Sequence, residues 1–181
     1  MARLTYGLLQ SLDGYVSGVE GGPELPMPGD TLNAYFSQQL RQVTGSLYGR
    51  RMYEIMRYWD KDEAEQDPAG REFAMAWRAK PKWVVSRTLK SVGPNATLVS
   101  EDMAGFVRRL KAEHEGEIEV AGPELAASLS ALGLIDEYHL YVRAVVLGGG
   151  KPFFAGPVPP LRFVAAEELG EDCVKLVYAP A

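Results

Sequence analysis

Two kinds of apolar patterning share this chain, and the point where one gives way to the other constrains the fold most. Up to about residue 135, short strand-like apolar runs alternate with stripes at helical spacing; from Asp136 onward, strands follow strands. Residues 3–9 (RLTYGLL), 46–48, 83–85 and 118–121 read as strands. Between them, Leu32, Tyr35, Phe36, Leu40 and Val43 form one helical stripe, and Met52, Tyr53 and Met56 a second. Residues 71–79 suggest a short third helix, and Met103, Phe106, Val107 and Leu110 mark a fourth. Leu125, Leu129 and Leu132 mark the last, with Pro123 at its first turn and Gly133 at its end. Asp30 or Thr31 is the expected cap of the first helix. Residues 60–70 read as a polar surface loop. After Asp136, Tyr138, Leu140, Val142 and Ala144 alternate with Glu137, His139, Tyr141 and Arg143, a long strand with one polar face. Strands near 161–167 and 173–178 close the chain. The pattern predicts one domain over residues 1–181: a three-layer α/β/α fold whose mixed, mostly parallel sheet carries antiparallel C-terminal strands.

At 181 residues the chain is long enough for one proper core, and its 46% hydrophobic and 24% charged residues fit a globular domain. A net charge of −5 argues against a general nucleic-acid binder. One cysteine, Cys173, permits no internal disulfide, which suits a reducing compartment. The N-terminus opens on a strand-like run without a signal-peptide pattern, and no apolar stretch approaches the roughly 18 residues of a membrane span. The expectation is a cytoplasmic protein that engages neither membrane nor nucleic acid. His114 and His139, far apart in sequence, give no metal-binding signature.

In an open α/β sheet, ligands bind beyond the carboxyl ends of the strands. Four segments occupy such places. Gly49-Arg50-Arg51 sets two cations at a strand-to-helix junction, where an anion would relieve their conflict with the helix dipole; solvated arginines are the alternative. Ser86-Arg87-Thr88 could hold a phosphate or form an ordinary polar turn. Gly122-Pro123-Glu124-Leu125 could admit a pyrophosphate to the backbone or need its glycine for turn geometry alone. Ser11-Leu12-Asp13-Gly14 places a carboxylate after the first strand, where Asp13 could position a substrate or relay a proton, or could simply make a turn. The Gly148-Gly149-Gly150-Lys151 run lacks the spacing of a phosphate loop and reads as a hairpin turn. His114 is expected at the surface, and His139 with Tyr141 at the surface or in a homodimer interface.

Taken in order, six segments resemble the dihydrofolate reductase superfamily, in the branch of the riboflavin-biosynthesis deaminase-reductase C-terminal domain. They are S-L-D-G at 11–14, L-Y-G-R-R-M-Y-E at 47–54, K-W-V-V-S-R-T-L at 82–89, E-V-A-G-P-E-L at 119–125, G-L-I-D-E-Y at 133–138 and V-V-L-G-G-G-K-P-F-F at 145–154. The resemblance implies an eight-stranded mixed sheet and an NADPH-dependent reductase passing hydride to a small heterocyclic or imine-like substrate. It implies that Arg50, Arg51, Ser86 and Arg87 lie near the 2′-phosphate of NADPH, that Gly49 also contacts the cofactor, and that Gly122, Pro123, Glu124 and Leu125 line its pyrophosphate and nicotinamide. Ser11, Asp13 and Asn33 become the substrate-side residues, with Asp13 the catalytic candidate. Leu32, Asn33 and Ala34 include no acid where dihydrofolate reductases carry one, which argues against folate reduction. Met52 stands where a threonine is usual, and Tyr15 where riboflavin reductases have a basic residue. The zinc-binding deaminase half has no counterpart here. A non-catalytic or sensing NADPH-binding protein of the same fold, or a pterin/dihydrofolate reductase, is the competing reading.

Overall fold

The computed structural model describes residues 1–19 and 24–181. Its eight-stranded sheet runs β5-β4-β3-β6-β1-β7-β10-β9, with β1 (Arg3–Gln10) central. β1, β3 (Gly45–Gly49), β4 (Lys82–Val85), β5 (Ala96–Val99), β6 (Glu117–Ala121) and β7 (Glu137–Arg143) are parallel. β10 (Cys173–Pro180) joins β7 antiparallel and β9 (Leu161–Gly170) antiparallel at the edge. The mixed sheet with antiparallel C-terminal strands is therefore the one the patterning implied. A small second sheet pairs β2 (Tyr15–Ser17) with β8 (Lys151–Pro152).

Among the described residues, five α-helices cover the two faces. α1 (Asp30–Gln42), α2 (Arg50–Met56) and α3 (Pro68–Ala79) lie on one; α4 (Met103–Glu113) and α5 (Pro123–Ala131) lie on the other. Side chains alternate across a strand, so each strand serves both layers. Leu4 and Tyr6 of β1, Leu47, Ile118, Val120 and Tyr138 join Val107, Leu110, Leu125 and Leu129 in one continuous core beneath α4 and α5. On the opposite face, Leu40, Val43, Tyr48, Tyr53, Trp77 and Val84 form one cluster, and Leu32, Tyr141, Leu169 and Cys173 a separate one.

Several local expectations are corrected. β5 is a true strand although only four residues long; Asn95, at φ +52°, turns the chain into it. Residues 60–70 are largely ordered into 3-10 turns and the start of α3, whose N-cap Asp67 accepts from the Gly70 amide. The N-cap of α1 is Gly29, without a side chain to offer. Its orphan amides are satisfied from far away: Glu171 accepts from Gly29 at 2.7 Å and from Leu32 at 3.1 Å. Glu171 sits with Asp172 in the two-residue β9–β10 turn, both at positive φ as a twisted hairpin turn requires. His114 packs edge-on against Trp83 and is only partly exposed. Among the described residues, no helix is long and apolar enough to cross a membrane.

Candidate functional site

The split between the two clusters leaves a cavity of about 750 Å³ between the sheet and helices α1 to α3. Phe36, Leu40 and Asn33 of α1 wall it on one side, and Met52, Met56 and Trp59 on another. The sheet supplies the floor: Thr5 and Gly7 from β1, Glu117, Glu119 and Ala121 from β6, and His139 and Tyr141 from β7. Gly7 matters by its lack of a side chain, since a Cβ there would lie 3.1 Å from the Tyr141 ring. That ring packs edge-on against Phe36, with centroids 5.0 Å apart, and closes one end.

His139 and Tyr141, expected at the surface or in a homodimer interface, instead face this cavity and are buried. His139 donates to Glu137 at 3.0 Å; burial nevertheless holds the imidazole below its ordinary pKa, which favours its neutral form. The acids beside it are unevenly matched. Arg3 pairs with Glu137 at 3.1 Å and Glu117 at 3.5 Å, and Thr5 donates to Glu117 at 2.8 Å. Glu119 receives hydroxyls only: Ser46 donates at 2.5 Å, and Tyr48, which itself accepts from the Trp77 indole, stands beside it. Desolvation raises the Glu119 carboxyl above its ordinary value, and these hydroxyls offset part of the effect.

Sequence reasoning missed Glu117 and Glu119. The available signal was their position: strands of a parallel sheet are covered on both faces and read as continuous apolar runs, so two carboxylates in Glu117-Ile118-Glu119-Val120 are out of place.

The strand-end residues gather above this cavity. β3 and β6 are neighbours with Tyr48 opposite Ala121, so Gly49 and Gly122 follow side by side. The chain leaves β3 into α2 on one face and β6 into α5 on the other, which makes this crevice the topological switch point of the sheet. Gly122 has φ +115°, a conformation that disfavours any side chain, and a Cβ there would meet Met52 at 3.5 Å. A Cβ on Gly49 would meet Leu125 at 3.5 Å. Neither glycine carries a side chain at this junction, and Met52 and Ala121 beside them line the cavity.

Charged groups flank the crevice. Arg50 donates to Thr88 at 3.2 Å, which joins the first arginine segment to the Ser86-Arg87-Thr88 turn. Ser86 accepts from the Thr88 and Leu89 amides and holds that turn; Arg87 is exposed. Arg51 pairs with Glu124 at 3.3 Å, and Lys151 also contacts Glu124. These cations keep the Glu124 carboxyl below its ordinary value against its partial desolvation. The glycine turn brings Lys151 to the start of α5. Pro123 and Leu125 are buried in the first turn of that helix.

The substrate-side candidates separate. Asn33 lines the cavity, its amide donating to the Pro28 carbonyl at 3.1 Å. Ser11 is fully buried outside it, its hydroxyl accepting from the Tyr15 amide. Asp13 is also outside. Its two oxygens accept from the Leu147 amide at 3.1 Å and the Gly148 amide at 2.7 Å, tying the loop after β1 to the glycine turn. The Ser11 hydroxyl, with these amides, holds the Asp13 carboxyl below its ordinary value. Among the described residues, no three His, Cys, Asp or Glu side chains group closely enough to hold a metal ion.

Comparison with known proteins places this geometry in a family. The profile of the RibD C-terminal domain matches residues 2–175. The chain is 29% identical over 181 residues to the uncharacterized protein YyaP of Bacillus subtilis strain 168, covering 97% of this chain and 94% of that one. A putative riboflavin biosynthesis protein from Shewanella sp. PV-4 superposes with a TM-score of 0.72 at 22% identity, covering 100% and 99% of the two chains. The diaminohydroxyphosphoribosylaminopyrimidine deaminase/5-amino-6-(5-phosphoribosylamino)uracil reductase of Thermotoga maritima gives 0.71 at 15% identity, covering 99% of this chain and 57% of that one. Dihydrofolate reductase from Enterococcus faecalis, complexed with NADP(H) and RAB-propyl, gives 0.64 at 14% identity over 98% and 95%. At these identities the solved structures establish the shared dihydrofolate reductase-like fold.

Proposed function

The chain belongs to the RibD C-terminal domain family, and on that footing we propose that it is an NADPH-dependent reductase of a small heterocyclic or imine-like substrate. The observation that carries this reading is the side-by-side placement of Gly49 and Gly122 at a switch point of the sheet, next to Met52 and Ala121 of the wall of the 750 Å³ cavity. A dinucleotide fits there chemically: backbone without side chains for the pyrophosphate, and arginines and hydroxyls beside it for a further phosphate. NADPH bound in this crevice would supply the hydride. The rest is done by the chain itself. Arg50, with Thr88 and the Ser86-Arg87 turn, would take the 2′-phosphate, Arg51 and Lys151 would exchange part of their pairing with Glu124 for the pyrophosphate, and Ala121 and Met52 would guide the reactive ring toward the cavity. Phe36, Trp59 and Tyr141 would exclude water and hold a flat substrate, so that proximity and orientation provide most of the acceleration. We assign Asp13 the role of holding two loops together.

The test is cofactor titration on the wild type and Arg50→Ala. The variant should weaken NADPH about tenfold while changing NADH less than about twofold, as expected for one lost charge-assisted phosphate contact. Equal losses for both cofactors would remove Arg50 from the phosphate site. Binding of neither by the wild type would sink the reductase reading.

A further inference from the structure

Glu119 is the part of the cavity that the proposed hydride transfer does not use. Three acids line up across β6 and β7, and two of them are satisfied: Glu117 by Arg3 and Thr5, Glu137 by Arg3 and His139. Glu119 faces the same cavity without a cation within ion-pair distance among the described residues; its partners are the hydroxyls of Ser46 and Tyr48. A carboxyl in the middle of a parallel sheet is costly, and an apolar residue there would pack against Tyr48 and Ala121 without that cost. Around it the wall is apolar and aromatic, from Phe36, Trp59, Phe73 and Tyr141.

The same wall is also selective by what it lacks. Among the described residues that line the cavity there is no lysine or arginine, and burial favours the neutral form of its one histidine. A phosphate group inside would meet carboxylates at the lining, while the nearby cations Arg3 and Lys80 lie outside it, Arg3 already paired with Glu117. A flat ring with N–H groups would instead find aromatic faces on its sides and a carboxyl oxygen at its edge.

We propose that Glu119 is the polar recognition group of this cavity and that its ligand is a flat, unphosphorylated aromatic ring presenting N–H donors. The inference rests on the reductase reading only in calling that ligand a substrate. Within the RibD C-terminal domain family it sets this chain apart from the Thermotoga maritima protein, whose named substrate carries a phosphoribosyl group.

The experiment uses three probes in calorimetric titrations of the full chain: 2,4-diaminoquinazoline, unsubstituted quinazoline, and uridine 5′-monophosphate. The wild type should bind the diamine about tenfold tighter than quinazoline, the worth of hydrogen bonds to a charged or strongly polar acceptor. Glu119→Gln should remove most of that preference and leave quinazoline affinity within about twofold. Uridine 5′-monophosphate should not displace the diamine. The inference is overturned by equal wild-type affinity for the two quinazolines, by no diamine binding at millimolar concentration, or by displacement with the nucleotide. It is also overturned if Glu119→Gln weakens both quinazolines alike. The wild-type comparison stands even if the variant folds poorly. NADPH is titrated separately, so loss of cofactor binding with the diamine preference intact would sink the reductase reading and leave this one standing.

Discussion

The two faces of the sheet are built from the same strands and do opposite things. Beneath α4 and α5, every inward residue of the central strands is apolar or aromatic, and they merge into one uninterrupted core. Beneath α1 to α3, the alternate residues of those strands include Thr5, Gly7, Ser46, Glu117, Glu119 and His139 beside Tyr48, Ala121 and Tyr141, and the helices stand away from them around a cavity. One face thus supplies cohesion, which leaves the other free to carry groups that would be poor choices for a core. Buried polar groups and voids both lower stability, and the chain confines them to one layer.

The sharpest way to break this contrast is to truncate a side chain on each face. Leu129→Ala, at a fully buried position under α5, should cost about 3 kcal/mol in urea unfolding, through lost transfer energy and a new cavity. Met52→Ala, on the wall of an existing cavity, should cost less than about half of that, because no new void is made in a close-packed region. Equal costs would mean that the cavity face is packed as tightly as the other.

A smaller effect is expected from titration. The folded state raises the Glu119 pKa, so between its ordinary value and the raised one the native protein holds more protons than the unfolded chain. Stability should therefore fall as pH rises through that interval, and Glu119→Gln should flatten the profile there. An unchanged profile would show that this carboxyl is solvated.

The smallest effect belongs to Asp13, whose lowered pKa gives the opposite sign. Its contribution is present above the ordinary aspartate value and is lost as pH falls through the lowered one. Asp13→Asn should remove that acid-side dependence and leave NADPH affinity unchanged. A loss of turnover beyond the loss of stability would return Asp13 to the chemistry.

The sequence pattern made the second layer much less legible than the first. Apolar residues at helical and strand spacing mark cohesion directly, so β1, β3, β4, β6 and most helices were readable. The alternation in Glu137–Arg143 identified β7 as a strand, but alternation cannot tell a solvent face from a cavity face, and His139 and Tyr141 were assigned outward. β5 was missed because Ala96–Val99 is short and follows Pro94-Asn95, which reads as a turn. Glycine and arginine at strand ends pointed to the crevice, since backbone access and charge leave a residue-level trace. Glu119 left a trace only in context, because a glutamate in a five-residue strand looks like an exposed residue until that strand is known to lie inside a parallel sheet covered on both faces. Lys151 was obscured for the same reason: only the folded turn brings it to Glu124.

Glu171 gives the C-terminal hairpin a role that its own position conceals. The residues that wall the cavity extend no further along the chain than Tyr141, yet the amides opening α1 are held by a carboxylate thirty residues later. The last hairpin is in effect the latch on a door it does not belong to. A shortened chain could retain every wall residue of the cavity and still leave α1 hanging loose over it.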